Sequence, residues 1–227
     1  MPNASTSFFG WVAFLLQKYG MLFLRGTGMT LLIALTGTAL GFALGLLVAI
    51  IRTIALPEKK KAGSNAGVIV KRGLLRFVHM LMNVYIQVFR GTPMIVQAVV
   101  IYYGAQYAGV FMDTTFAAVF IISINTGAYM AEIIRGGIVS VDKGQFEAAH
   151  AIGMTHWQTM TTVVLPQAIR NILPSVGNEL IVNIKDSSVL NVISVSELFF
   201  QAKSAAGTYY RYFEVYFIIA VIYLILT

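Results

Sequence analysis

Three long stretches of the chain carry no charge. None stands between Arg25 and Arg52, none between Arg90 and Asp113, and none from residue 114 until Glu132. At about 1.5 Å rise per residue, helices over the first two exceed the roughly 30 Å of bilayer hydrocarbon, and the third nearly fills it. The pattern predicts an all-α polytopic membrane protein with about five transmembrane helices. Span one covers about 26–51, span three about 115–136, span four lies within 173–200 and span five within 212–227. Residues 74–111 read as one in-to-out element broken at Phe89-Arg90-Gly91-Thr92-Pro93, because proline lacks an amide hydrogen and disfavours helix at the residue before it.

Two polar segments separate these spans. Residues 52–76 form a basic loop, with Pro57, Gly63, Ser64, Asn65 and Gly67 as helix breakers. Residues 137–172 form a second loop. Residues 1–25 precede the membrane domain at 26–227, and Phe8, Phe9, Trp11, Val12, Phe14, Leu15 and Leu16 read as an amphipathic helix lying at the outer interface. The first basic residue is Lys18, so this segment lacks the charged start of a secretory signal.

Composition agrees with the pattern: 58% of residues are hydrophobic and 11% charged, against roughly 25% charged in soluble domains. The net charge of +7 would suggest nucleic acid in a soluble protein, but its distribution excludes that. Arg52, Lys59, Lys60, Lys61, Lys71, Arg72 and Arg76 crowd one loop against Glu58 alone. That is the positive-inside pattern, which makes both loops cytoplasmic, with anionic lipid a further contact for the first. Arg135, Lys143 and Arg170 join them on the inner side, leaving Lys18, Arg25, Lys203 and Arg211 outside and Arg90 and Lys185 at membrane depth. The N-terminus is therefore expected outside and the C-terminus inside. No basic residue follows the last span, so the chain is expected to continue past Thr227. The absence of cysteine excludes disulfides, thiolate metal sites and a cysteine nucleophile.

Gly37, Gly41 and Gly45 recur at intervals of four in span one, a small-residue face that admits a closely packed helix. The spacing leaves open whether that helix belongs to the same subunit or to another. The chain has no internal repeat, and five spans enclose a pathway poorly without one; a dimer would supply the rest.

The second loop holds the most specific pattern. Residues 145–152 have the length of a two-turn helix, and Gly153 suits the left-handed conformation that ends one. Thr155 opens a second helix, with Gln158 as its capping-box partner, and Pro166 punctuates the far side before the next span. The product is a compact helical hat too polar for lipid, shaped to fit a groove on another protein.

This loop resembles the coupling loop of ABC importer permeases. Glu147, Ala148, Ala149, Gly153, Leu165 and Pro166 stand at the spacing of that family's pattern, with Val163 where the family prefers isoleucine. Phe89-Arg90-Gly91-Thr92-Pro93, Asn125-Thr126-Gly127-Ala128-Tyr129, Arg135-Gly136-Gly137-Ile138, Lys185-Asp186 and Phe213-Glu214-Val215-Tyr216 resemble the polar amino-acid branch, of histidine, glutamine, arginine and glutamate types. The basic loop is longer than is usual there. The resemblance implies the transmembrane domain of a type I ABC importer in a prokaryotic cell membrane. Two such permeases form the pathway, two ATPase subunits bind the coupling loops, and an external binding protein delivers the amino acid. The chain has no Gly-x-x-x-x-Gly-Lys-Ser/Thr run, so ATP and Mg²⁺ belong to the partner ATPase and none is expected on this chain.

Ionisable groups at membrane depth face a pathway or a partner. Asn125, Tyr129 and Glu132 recur at i, i+4 and i+7 in span three, and Glu179, Asn183 and Asp186 repeat that spacing in span four, so each set shares one helical face. These faces, with Arg90 and Lys185, are the candidate pathway walls: a solute ammonium would suit Glu179 or Asp186, and its carboxylate Arg90 or Lys185. The plainer readings are an ion pair of Glu132 with Arg135 at the inner mouth, and pairs of Glu179 or Asp186 with Lys185 or Arg90 that hold a gate. His79, His150 and His156 lack metal-ligand spacing. An ion-coupled carrier or channel would use the same intramembrane charges but has no need of the helical hat. A membrane enzyme would need a nucleophile, base or metal cluster at one depth, which the sequence does not offer.

Overall fold

The structure, a computed structural model, describes residues 7–54 and 66–227. Lys59, Lys60, Lys61 and the breakers of the basic loop from Pro57 to Asn65 lie outside the described residues. The rest of that loop is helical: Lys71, Arg72 and Arg76 sit on α2, which starts at Ala66. Nine α-helices are found among the described residues: α1 (Phe8–Thr53), α2 (Ala66–Gly91), α3 (Met94–Tyr107), α4 (Thr114–Val139), α5 (Lys143–Ala151), α6 (His156–Gln158), α7 (Leu165–Asp186), α8 (Leu198–Tyr209) and α9 (Tyr212–Leu226).

By length and hydropathy, α1 and α4 suffice to cross a membrane, and α2 with α3 make a third span if the broken pair counts as one. The break falls where the sequence places it, between Gly91 and Met94, with the Thr92 hydroxyl donating to the Val88 carbonyl at 2.8 Å. The shorter α9 is also apolar. Fewer helices pass this test than the five spans expected, for a local reason. The stretch 173–200 is not one helix: α7 ends at Asp186, a 3₁₀ segment runs over Ser187–Ile193, and Ser194 is left-handed at φ 66°. Polar side chains compete for the backbone there, Ser187 Oγ donating to the Ile184 carbonyl at 2.9 Å and Asn191 Nδ2 to that of Ser188 at 2.6 Å.

A second difference lies at the start. No break separates an interfacial segment from span one, because α1 runs unbroken for 46 residues, about 70 Å at 1.5 Å per residue. Trp11 and Leu15 are buried within the protein: Leu15 and Phe23 pack with Leu198, Ala202, Ala206, Val215 and Ile218, and Tyr209 and Arg211 lie against the Trp11 ring. Gly26 allows the approach, since a Cβ there would stand 2.8 Å from the Leu198 Cα.

The helices fall into two compact units, whose boundaries cut through α1, α4 and α7. The first comprises residues 1–38, 94–122 and 179–227; besides the cluster just named, its core joins Ile33, Ala98, Ala118, Ile121 and Ile122 to Leu190 and Ile193. The second comprises residues 39–93 and 123–178. It packs Val48 and Ile86 against Ala128 and Ala131, Ala49 against Ile134 and Ile172, and Val141 against Val164 and Ala168. The glycine face is used within the subunit: Gly37 meets Ile122 in the first unit, while Gly41 meets Thr126 and Gly45 meets Met130 in the second.

Candidate functional site

The loop after α4 is a helical hat held by its own caps. Asp142 begins α5, its carboxylate accepting from the Gly144 amide at 2.7 Å. The helix ends at Gly153, left-handed at φ +83°. There the Gly153 amide donates to the His150 carbonyl and the Met154 amide to the Ala149 carbonyl, each at 3.0 Å, the bonding of a glycine-terminated helix. Thr155 then opens α6 with a complete capping box. Its hydroxyl accepts from the Gln158 amide at 3.3 Å, and the Gln158 side chain accepts from the Thr155 amide at 2.9 Å.

Pro166 does not punctuate the far side as expected. The chain stays helical from His156 to Asp186, through a π-helical stretch at Thr159–Val164 that leads into α7 one residue before the proline. A proline ring clashes with the carbonyl four residues back, and the wider π turn accommodates it without ending the helix. Phe146 and Met160 pack on Val141, Val164 and Ala168 between the two arms. The base is stapled by Asn171 Nδ2 donating to Ser140 Oγ at 2.9 Å, and more weakly by Gln167 Nε2 donating to Gln145 Oε1 at 3.3 Å.

Of the motif residues, Glu147, Ala148, Gly153 and Pro166 are exposed, Leu165 is half-buried and Ala149 is buried. Two residues outside the motif dominate the tip. Ile152 is 79% and Trp157 75% exposed, on either side of the Gly153 turn. Neither was singled out in the sequence, where a tryptophan in a segment too polar for lipid is the signal that could have found this surface.

The candidate pathway residues divide between the units. In the second, Asn125 is buried and its Nδ2 donates to the Phe89 carbonyl at 3.3 Å. One turn on, the exposed Arg90 guanidinium lies over the Tyr129 ring, 5.4 Å from its centroid. Asn125 and Tyr129 thus hold the last turn of α2 on α4. Glu132 pairs with Arg135 at 3.0 Å, as the plainer reading expected, and also with Arg52 at the end of α1; spacing alone did not point to that third member.

In the first unit, Glu179 and Asn183 are buried, Asn183 Nδ2 donating to the Thr38 hydroxyl of α1 at 2.8 Å. Asp186 is half-buried and Lys185 exposed. Within the first unit Lys185 and Asp186 form no ion pair within 4 Å among the described residues, so the gate pair suggested between these two is absent from this structure. Lys185 instead lines a cavity of about 360 Å³ with side chains of α8 and α9.

Apolar helices long enough to cross a bilayer, charges along them and a capped polar hat define a membrane transport subunit. The family described as binding-protein-dependent transport system inner membrane component matches residues 63–227. The glutamine transport system permease protein GlnP of Escherichia coli K12 is 39% identical over 208 residues, 91% of this chain and 86% of that protein. The probable amino-acid ABC transporter permease protein YckA of Bacillus subtilis is 37% identical over 88% of this chain and 80% of its own length. A solved structure, described as the crystal structure of an amino acid ABC transporter with histidines, is 38% identical with a TM-score of 0.81, covering 98% of this chain and 92% of that one. The chain therefore belongs to the inner membrane components of binding-protein-dependent transport systems: it is an importer permease, not an enzyme. The likeness carries the fold expected from the sequence, an all-α transmembrane domain of the type I ABC importer kind, and sets aside the ion-coupled carrier or channel.

Proposed function

We propose that the chain is half of the translocation pathway of an ATP-driven importer for a polar amino acid in a prokaryotic cell membrane. A second permease subunit, identical or a sister, supplies the other half, and an external binding protein delivers the solute. With the N-terminus outside, the hat of α5 and α6 lies in the cytoplasm, where an ATPase subunit binds it; ATP and Mg²⁺ are held by that partner. Glu147, Ala148, Ala149, Gly153, Leu165 and Pro166 shape the hat, and Ile152 and Trp157 enter the partner's groove. Arg90, Asn125, Tyr129, Glu179, Asn183, Lys185 and Asp186 line or brace the pathway.

The carrying observation is the rigid hat. Both ends of its turn are capped, and two large apolar side chains stand in the open beside it. Such a projection on a polar loop needs a protein partner to cover it. The test is reconstitution in proteoliposomes with the ATPase and binding protein of the same system. Uptake of L-glutamine, L-histidine or another polar amino acid should require ATP and both partners. Uptake by this chain alone, driven by a sodium or proton gradient, would overturn the reading.

A further inference from the structure

Within the first unit, α8 lies along the first half of α1. Its start meets Gly26, where a Cβ would stand 2.8 Å from the Leu198 Cα, and its last residue, Tyr209, accepts a hydrogen bond from the Lys18 ammonium. One face of α8 is closed, with Leu198, Ala202, Ala205 and Ala206 buried in the core that Leu15, Phe23 and Val215 share. The other shows Lys203, Ser204, Gly207 and Thr208, and none of the apolar side chains of α8 is exposed. A face of this kind looks at water or protein, not at lipid tails. Arg25 stands seven residues after Lys18, hence on the same face of α1. Lys18, Arg25 and Lys203 are all exposed, and among the described residues none has a carboxylate within 4 Å. Neither α1 nor α8 contains an acid. The acids that flank α8 are committed elsewhere: Glu197 accepts from the amides of Phe199 and Phe200 at 2.7 Å each, and Glu214 pairs with Arg211 at 3.4 Å.

We propose that the polar face of α8, with Lys18 and Arg25 beside it, is the landing surface for an acidic face of the external binding protein. The inference rests on the reading of the chain as a binding-protein-dependent permease with its N-terminus outside, and adds to it the docking helix and the charge of the partner. Outer segments of a membrane protein are normally the ones poor in lysine and arginine, so three cations there, with no acid beside them, call for a partner. An acidic protein surface supplies it. Complementary charge steers encounter and fixes register more than it adds affinity, which suits a partner that must arrive loaded and leave empty. Anionic headgroups of the outer leaflet are the other source of negative charge. Against them, Ser204, Gly207 and Thr208 set no apolar anchor beside Lys203 for a leaflet to hold.

The test is ATP hydrolysis by the permease–ATPase complex in phosphatidylcholine nanodiscs, titrated with the binding protein of the same system loaded with L-glutamine or L-histidine. The wild type should need more binding protein for half-maximal stimulation as salt rises from about 0.05 to about 0.3 M, because salt screens exposed charges. Arg25→Glu combined with Lys203→Glu should need at least tenfold more than the wild type and still reach its maximal rate. Arg25→Lys with Lys203→Arg, which keeps both charges, should match the wild type. Should the reversed variant not assemble, Arg25→Gln with Lys203→Gln decides in its place, with a threefold or greater shift expected. The chain has no cysteine, so Ser204→Cys can carry a single benzophenone maleimide. It should photo-cross-link to the binding protein, whereas Ile152→Cys on the hat should not. Three results would overturn the proposal: half-saturation unmoved by salt, half-saturation unmoved by the loss or reversal of charge, or cross-links from Ser204→Cys to lipid alone. Weaker association with phosphatidylglycerol in the reversed variant, at unchanged half-saturation, would assign the cations to lipid and overturn it as well. No stimulation of the wild type at any concentration of binding protein would instead remove the permease reading beneath it.

Discussion

Gly45 of α1 rests directly on Met130 of α4: a Cβ on the glycine would stand 2.5 Å from the methionine Cβ. Real Cβ contacts are never that short, so the two helices meet at this point only because position 45 has no side chain. Gly45→Leu must push α1 off α4 and should cost about 1–3 kcal/mol or more, the usual range for overpacking. Gly20 lies on the same helix with nothing within 4 Å of its Cβ position among the described residues. Gly20→Ala should leave the unfolding temperature unchanged or raise it slightly, alanine being up to about 1 kcal/mol the better helix former. Thermal unfolding of the purified variants in detergent compares the two. Equal temperatures for Gly45→Leu and wild type would mean that the helices do not pack there.

Gly153 carries the turn of the hat at φ +83°. Left-handed backbone costs an ordinary L-residue about 1–2 kcal/mol, and a β-branched side chain more. Gly153→Val should therefore distort the turn while the spans, which share no packing with it, insert and fold normally. The expected result is normal expression and thermal stability of the permease, with uptake and solute-stimulated ATP hydrolysis cut tenfold or more. Wild-type uptake by Gly153→Val at normal expression would show that the turn is not needed for coupling.

The same loop shows what is readable in sequence and what is not. The glycine turn and the Thr155–Gln158 capping box are local devices, each settled by residues within four positions, and both stand where the pattern puts them. Pro166 was misread for want of a neighbour: in isolation a proline ends a helix, but the π-helical stretch before it accommodates the ring. Distance in sequence hid the rest. Arg52 and Glu132 are eighty positions apart, so spacing recovered the Glu132–Arg135 pair without its third partner. The glycine face was visible in span one, yet only α4 against it decides that it packs inside the subunit. Likewise nothing local to residues 8–16 reveals that α8 and α9 will bury Leu15 or that Tyr209 and Arg211 will cover Trp11, which is why an amphipathic start read as a separate surface helix.

Trp157 is exposed and makes no contribution to the packing between the arms of the hat. Trp157→Ala should therefore leave the unfolding temperature of the isolated permease unchanged. If the residue anchors the ATPase, truncation should cost at least about 2 kcal/mol of association, the level that marks an interface hot spot. At about 1.4 kcal/mol per tenfold, that is a loss of affinity above tenfold, measurable by titrating the ATPase onto the permease in nanodiscs. Unchanged affinity would place the partner's footprint elsewhere on the hat.

Glu179 and Asp186 share a helical face but differ in surroundings, and the difference separates a bracing role from a pathway role. Glu179 is buried, one turn from Asn183 and its bond to Thr38, in the part of α7 that packs inside the first unit. Asp186 ends α7 half-buried, with no ion pair within 4 Å among the described residues. Removing one partner of a desolvated polar or charged contact typically costs about 2–5 kcal/mol. Glu179→Gln should therefore show up first as lower thermal stability and a lower yield of assembled complex, since the side chain is buried in the folded unit. Asp186→Asn keeps the shape and leaves fewer partners stranded, so the complex should assemble at wild-type yield. Its effect should fall on transport, as a tenfold or greater change in uptake, or in the ATP hydrolysed per solute carried. Size-exclusion yield, thermal unfolding and proteoliposome uptake, measured on both variants, distinguish the two roles. Normal assembly and normal uptake in Asp186→Asn would remove this face from the proposed pathway.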